Sequence, residues 1–460
     1  MKVCILSEGS YPVIRGGLSE WAHMLIKSLA DVRFDVFCIV PYDEPRVPVY
    51  EKLPNIDQII IKPIVRANPG RPQIDLTQQT RNGIPNLFKQ MTLGQSLPVE
   101  EIYDPDQKYP VNKDWLASRE YWNTLVTIYN ELYPQEGITD FFWTIFGFAT
   151  ILVDSFNFIG EIPDADIYHS LSTGFSGYAG ALAKIVKHKP MITIEQGLYL
   201  VERRAELARN RELTTLYRDL GNKFAESLVK TTYKYADRIV PPCRFPHTKI
   251  ETDLGADPSK ITVIHNGIEV DRFTPGKRET REVPLIGCFA RVVPIKGIID
   301  LIRAAKIVTD RCQAEFVVLG EIQDKAYFEE CSSLVKELGL SDSFRMVGHA
   351  KAEEWYRKVD IFTMASHSEG VPYALLEAMS SGLPSVCTGV GGIPEILTEG
   401  VGFVVEPRSP EALAEKLCHL IQNPETRHSM GQFAMHVARE KYTLAEMASN
   451  FRRLYEELVK

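Results

Sequence analysis

No stretch of this chain is apolar over the roughly 20 residues that a membrane-spanning helix needs. The most apolar segment, residues 141–153, is interrupted by Thr144, Gly147 and Thr150 and closed by Asp154, so it reads as a buried core helix. At the amino terminus only residues 3–6 form an apolar run, too short for an export signal, and export is not expected. A long basic run is also missing, and 52 Lys and Arg against 60 Asp and Glu give a net charge of -8. That balance leaves no electrostatic footprint for nucleic acid. The eight cysteines contain no C-x-x-C pair and the ten histidines no H-E-x-x-H spacing. Neither a disulfide framework nor an essential metal is therefore expected, and the cysteines read as reduced, buried residues of a cytosolic protein. G-x-G-x-x-G is absent too, which removes the motif-based case for dinucleotide binding.

What is present is an ordinary globular composition, 45% hydrophobic and 24% charged, over 460 residues. That length exceeds one core and predicts two domains. Strand-like runs at residues 2–6, 35–40, 59–61, 166–169, 191–195 and 238–240 alternate with helical patterns at 18–29, 178–186 and 211–235. A second set at 285–289, 315–319, 344–346, 361–364, 385–387 and 402–404 repeats the alternation. This predicts an α/β chain of two doubly wound, Rossmann-like domains, with a parallel sheet in each and a ligand cleft between them. We place the domains at 1–274 and 275–440, with an insertion at 66–158 rich in proline and aromatics. A terminal helix over 441–460 is expected to pack back on the first domain.

Two clusters carry chemistry. Arg291-Val292-Val293-Pro294-Ile295-Lys296-Gly297 follows a strand and precedes a helix, and its guanidinium and ammonium match a diphosphate leaving group. Glu369-Gly370-Val371-Pro372-Tyr373-Ala374-Leu375-Leu376-Glu377 brackets a turn into a helix, whose free N–H groups favour an anion. Glu377 offers two acceptor oxygens to vicinal hydroxyls such as those of a ribose. Read singly, these are solvated surface charges as readily as ligands. Gly16-Gly17, after the first strand, allow close approach of backbone to a phosphate or an acceptor as readily as they make a simple turn. Glu195 at a strand end is either an acceptor contact or a paired structural carboxylate. Asp104-Pro105-Asp106 and Asp164-Ala165-Asp166 match a D-x-D metal motif only superficially. The aromatics Trp115, Tyr121, Trp122 and Trp143 could line a sugar-polymer groove or form core.

Taken together, the clusters resemble the donor-site signature of the retaining GT-B glycosyltransferases grouped as family 4. Val263-Ile264-His265-Asn266-Gly267-Ile268, Gly389-Val390-Gly391-Gly392-Ile393-Pro394-Glu395 and Gly402-Phe403-Val404-Val405 fall in that family's order. Arg15-Gly16-Gly17-Leu18-Ser19-Glu20-Trp21, His169-Ser170-Leu171-Ser172-Thr173-Gly174 and Glu195-Gln196-Gly197-Leu198-Tyr199 resemble its Pel exopolysaccharide (PelF-like) branch, with Gln196 where that branch has histidine.

The resemblance implies transfer of a sugar, with retention of configuration, from a nucleotide-sugar donor of the UDP-sugar kind to a glycan acceptor. No cofactor is then required beyond that donor. Arg291 and Lys296 would hold the diphosphate, Glu377 the ribose and Glu369 a sugar hydroxyl. The backbone of Gly370, Val371, Pro372 and Tyr373 would line the sugar site, with Gly16-Gly17 on the donor phosphates or the acceptor. His169 would bond the sugar or the incoming acceptor. A cytoplasmic enzyme of cell-surface or exopolysaccharide synthesis is implied, peripheral to the inner face of the membrane and partnered by a membrane-associated synthesis complex. A nucleotide-sugar-binding regulatory subunit and a sugar-nucleotide epimerase of the same fold stay open beside it.

Overall fold

The computed structural model describes residues 1–41, 46–64, 78–102, 113–252, 254–276 and 281–460. Asp104-Pro105-Asp106 and the prolines at 69, 72, 105 and 110 lie outside these described residues. The chain divides into two compact units. The first comprises residues 1–241, 246–263 and 451–460; the second comprises 242–245 and 264–450.

Six strands build the first unit's sheet: β1 (Lys2–Glu8), β2 (Arg33–Pro41), β3 (Ile56–Ile64), β4 (Ile167–Ser170), β5 (Met191–Ile194) and β6 (Arg238–Val240). All pair in parallel in the order β3-β2-β1-β4-β5-β6. Strands buried on both faces read as near-continuous apolar runs, which is why residues 3–6 and 36–40 are uniformly buried. The helices in this part of the chain are α1 (Gly17–Ser28), α2 (Gln78–Leu93), α3 (Arg119–Leu132), α4 (Ile138–Phe158), α5 (Phe175–Lys187), α6 (Tyr199–Arg209), α7 (Thr215–Tyr235) and α8 (Phe245–Thr252). The helix expected over 211–235 begins instead at Thr215, capped by Thr214, whose Oγ1 accepts from the Tyr217 N–H, with a separate α6 before it. Within the stretch read as an insertion, α2 to α4 join the same core through Phe88, Trp115, Tyr121 and Phe141. Trp115 and Tyr121 meet edge to face within that core, whereas Trp122 and Trp143 stand exposed.

The second unit repeats the plan with β7 (Leu285–Phe289), β8 (Glu315–Leu319), β9 (Phe344–Gly348), β10 (Ile361–Met364), β11 (Ser385–Thr388) and β12 (Gly402–Val405). These are parallel in the order β12-β11-β10-β7-β8-β9. Helices α9 (Ile298–Thr309), α10 (Lys325–Glu337) and α14 (Pro410–Gln422) cover one face. On the other lie α11 (Ala352–Tyr356), α12 (Tyr373–Ser380), α13 (Ile393–Ile396) and α15 (Pro424–Lys441). The last helix, α16 (Leu444–Val459), starts in the second unit, and its residues from Phe451 onward belong to the first.

Strand order runs one way from β7 through β8 to β9 and the other way from β10 through β11 to β12. The reversal falls between the neighbours β7 and β10, and crevices at the carboxyl ends of such strands are where open α/β sheets take ligands. Arg291 follows β7 and Glu369 follows β10.

Candidate functional site

The loop after β7 is fixed by its backbone before any side chain is considered. Ala290 N–H donates to Leu319 O at 2.8 Å and Val292 N–H to Glu321 O at 2.9 Å. A short turn, Pro294–Lys296, ends at Gly297, whose φ of 62° suits glycine. A Cβ there would stand 2.0 Å from Ala365 O, so this loop can lie against the exit of β10 only because residue 297 has no side chain. His367 N–H donates to Ile295 O at 2.8 Å and completes the join.

That join brings Lys296 to Glu369. The ammonium donates to Glu369 Oε1 at 2.6 Å and to Oε2 at 2.8 Å, and both side chains are largely buried. Ser366 Oγ donates to Glu369 Oε1 at 2.6 Å, and Thr388 Oγ1 holds the Ser366 carbonyl at 2.6 Å. From the opposite side Gly392 N–H donates to Gly370 O at 2.8 Å. Gly391, with φ 60°, passes so close that a Cβ would lie 2.0 Å from Glu369 O. Glu369 is thus held by three loops. An ammonium has three donors, and two are spent on the carboxylate, so the third is available to an anion.

Helix α12 opens at Tyr373 after Pro372, with no side chain capping its N-terminus. Tyr373 and Ala374 line the same cavity as Lys296 and Glu369, so the start of α12 and the positive end of its dipole lie against it. One helical turn on, Glu377 is half-buried, and Tyr356 Oη donates to its Oε2 at 2.8 Å. Burial pushes the Glu377 carboxyl above the ordinary carboxylate range, and the Tyr356 hydrogen bond works against that rise. Arg291, at the exposed rim, donates from Nη1 to Gln323 Oε1 at 2.7 Å. A cavity of about 420 Å³ joins Arg291, Lys296, Glu369, Val371, Pro372, Tyr373 and Glu377, and Phe289, Leu319 and His349 also line it. This arrangement pairs two cations and a helix N-terminus with a half-buried acceptor, and so suits an anion that also carries hydroxyls.

Gly370 supports this cavity through its carbonyl, while Gly16, Gly17 and His169 belong to the first unit. A Cβ at Gly16 or Gly17 would meet nothing within 4 Å, so packing does not demand glycine there. His169 is fully buried on β4. Its Nδ1 lies 2.6 Å from Tyr455 Oη, and its ring stacks on Phe451 with Trp21 at its edge. His169 therefore sits among aromatic rings of the first unit, with its Nε2 buried and without a hydrogen-bond partner there. Glu195 is likewise enclosed, accepting from Thr173 Oγ1 at 2.8 Å, Tyr233 Oη at 2.6 Å and Tyr199 N–H at 2.9 Å. It caps α6 rather than facing solvent. Asp164 pairs with Lys187 and Asp166 accepts from Lys2 N–H. Among the described residues no three His, Cys, Asp or Glu side chains gather as metal ligands. Nor, among those residues, is any helix long and apolar enough to cross a membrane.

The two buried groups of the first unit titrate in opposite directions. Burial pushes the His169 imidazole down to about 3 from its ordinary 6.5, so its contribution to stability is complete above pH 6.5 and is lost as pH falls toward 3. Burial pushes Glu195 up to about 7 from 4.5, so its contribution is complete below pH 4.5 and is lost as pH rises through 7. In thermal melts across pH, Glu195→Gln should flatten the fall in melting temperature on the alkaline side, and His169→Phe the fall on the acid side. A Glu195→Gln variant that tracks the parent between those values would show the carboxyl to be unperturbed.

Comparison with known proteins joins this geometry to families. Residues 1–259 match the model described as "Domain of unknown function (DUF3492)", and residues 269–437 match "Glycosyl transferases group 1". The D-inositol 3-phosphate glycosyltransferase of Streptomyces griseus is 30% identical over 243 residues, 46% of this chain and 49% of that protein. The Corynebacterium efficiens protein of the same name is 33% identical over 221 residues, 44% and 52% of the two chains. This chain therefore spans about half the length of the curated relatives it matches. Among solved structures, Anabaena HepE in complex with UDP superposes with a TM-score of 0.64 at 14% identity, covering 100% of both chains. Sucrose-phosphate synthase from Thermosynechococcus elongatus gives 0.64 at 17% identity over 99% and 98%. At such identities the likeness is one of fold, and two parallel six-stranded α/β sheets of this order are the GT-B architecture.

Proposed function

We propose that this chain, which belongs to the family "Domain of unknown function (DUF3492)" by residues 1–259 and matches Glycosyl transferases group 1 over residues 269–437, is a retaining glycosyltransferase. Its donor is a nucleotide-sugar and its acceptor a glycan. One observation carries the reading: a single cavity holds Arg291, the Lys296–Glu369 pair, the uncapped start of α12 and the half-buried Glu377. Few ligands other than a nucleoside diphosphate bearing a sugar present two anionic groups beside a diol.

In this reading Arg291 and the third Lys296 donor take the diphosphate oxygens, together with the first-turn N–H groups of α12. Glu377 accepts from the ribose hydroxyls and Glu369 from a hydroxyl of the sugar. The bond between the anomeric carbon and the phosphate oxygen breaks, the diphosphate leaves with the electron pair, and the acceptor oxygen bonds to the same face of the sugar. The acceptor's proton passes to the departing phosphate oxygen, so no protein nucleophile takes part. What the protein supplies is fixed positive charge where negative charge develops, and position.

Uridine as the base is supported by the fold shared with HepE, which binds UDP. The role in cell-surface or exopolysaccharide synthesis, at the inner face of the membrane beside a synthesis complex, follows from the resemblance around Arg15 to Trp21 and Glu195 to Tyr199. A thermal-shift series with UDP, GDP, ADP and their sugars tests the donor, because ligand at 100 times its dissociation constant stabilises by about 2.7 kcal/mol. A rise with one nucleotide class is expected. If none of them moves the melting temperature, the donor site is misread. Proton NMR of the product should give the donor's anomeric configuration, and inversion would remove the retaining mechanism.

A further inference from the structure

We propose that Tyr356 is the positioning residue of Glu377, its hydroxyl shared between the Glu377 carboxyl and the Ala374 carbonyl so that the carboxyl stays aimed at the ligand whether or not it carries a proton; this rests on the donor-site reading above. Tyr356 ends α11 and its ring is fully packed, with the Phe289 ring centroid at 4.3 Å, Phe273 at 5.7 Å and Phe362 at 6.4 Å. The hydroxyl therefore has a fixed place. It lies 2.8 Å from Glu377 Oε2 and 3.0 Å from Ala374 O.

One hydroxyl carries one proton but has two acceptors within reach. With Glu377 ionised, the Tyr356 proton bonds the carboxylate. With Glu377 protonated, the carboxyl donates to the Tyr356 oxygen and the tyrosine proton turns to Ala374 O. Glu377 keeps the same place in both states, and the N-terminal turn of α12 is tied to it through residue 374.

The other charges that act on Glu377 are Arg272, which favours its ionised form, and Glu353, which opposes it; these two are themselves an ion pair. Burial is the largest influence and favours the neutral acid, so Tyr356 is the main group holding the carboxyl toward the charged form. A ribose diol donates two hydrogen bonds, and only the carboxylate is acceptor at both oxygens. Tyr356 thus acts on the nucleoside end of the ligand and not on its phosphates.

Tyr356→Phe removes the hydroxyl and keeps the ring. Calorimetric titration should use UDP, with GDP and ADP alongside, and inorganic pyrophosphate as the probe that lacks a ribose. The bound nucleotide's affinity should fall about tenfold, the expected loss of a charge-assisted hydrogen bond, while pyrophosphate stays within about twofold. The pH above which the nucleotide binds well should also rise in the variant. On a Glu377→Ala background, Tyr356→Phe should add nothing. Equal losses for nucleotide and pyrophosphate, an unchanged nucleotide affinity, or a further loss on the Glu377→Ala background would each overturn the proposal. A parent protein that binds none of the three nucleotides overturns the donor-site reading itself, which is a distinct result from a parent that binds and a variant that does not differ.

Discussion

Lys296→Ala should lower kcat/KM for sugar transfer by about 10²- to 10³-fold, the range for removing one charge-stabilising donor from a preorganised site. The Lys296 ammonium is fixed by two hydrogen bonds to Glu369 at the crevice between β7 and β10, so its charge needs no reorganisation as a diphosphate departs. Stability is a separate matter, because removing the lysine leaves a buried carboxylate with Ser366 as its remaining side-chain donor. Loss of one member of such a pair is destabilising, whereas loss of both is far less so. Lys296→Ala should therefore melt lower than the double variant Lys296→Ala, Glu369→Ala, while both lose transfer. Turnover of Lys296→Ala within a few-fold of the parent would remove the lysine from the chemistry. A double variant that regains activity along with stability would show the pair to be purely structural.

The charged half of this site is legible in the sequence because anion chemistry uses few residue types, and Arg291, Lys296 and Glu369 sit at the ends of strands that can be recognised. Strands β7 and β10 are buried on both faces, and such strands read as unbroken apolar runs whatever surrounds them. The insertion was obscured by its composition. Pro85 lies inside α2, and a Cβ on Gly83 would stand 2.6 Å from Glu101 O. Both residues argue locally for a loop, yet Ile84, Leu87, Phe88 and Met91 bury one face and tertiary packing decides.

The surroundings of His169 are not legible for a different reason. Its enclosure depends on Tyr455, 286 residues away, which no local pattern reports. Tyr356 gave no signal at all, since a tyrosine after a tryptophan in an amphipathic stretch reads as core, and by burial it is core. Only the direction of its hydroxyl makes it part of the site.

Gly391→Ala should be as damaging to transfer as loss of a charged group, although residue 391 contributes no side chain. Its φ of 60° costs an alanine about 1–2 kcal/mol by itself. The added Cβ would also stand 2.0 Å from Glu369 O and close to Gly370 O, backbone atoms that cannot swing aside as a side chain could. Relief must come from moving the 369–370 peptide away from the Gly391-Gly392 turn, which stretches the Gly392 N–H to Gly370 O bond and carries Glu369 off Lys296. A shift of about 1 Å in a positioned group can cost about 10²-fold in rate. The expected result is a fall of that order in kcat with a melting temperature lower by several degrees. Gly17→Ala is the control, since its Cβ meets nothing within 4 Å and the fold should accept it unchanged. If Gly391→Ala keeps parental kcat, the backbone approach is not what holds Glu369 in place. If Gly17→Ala loses transfer while melting like the parent, the space above that glycine is needed by a ligand and not by the chain.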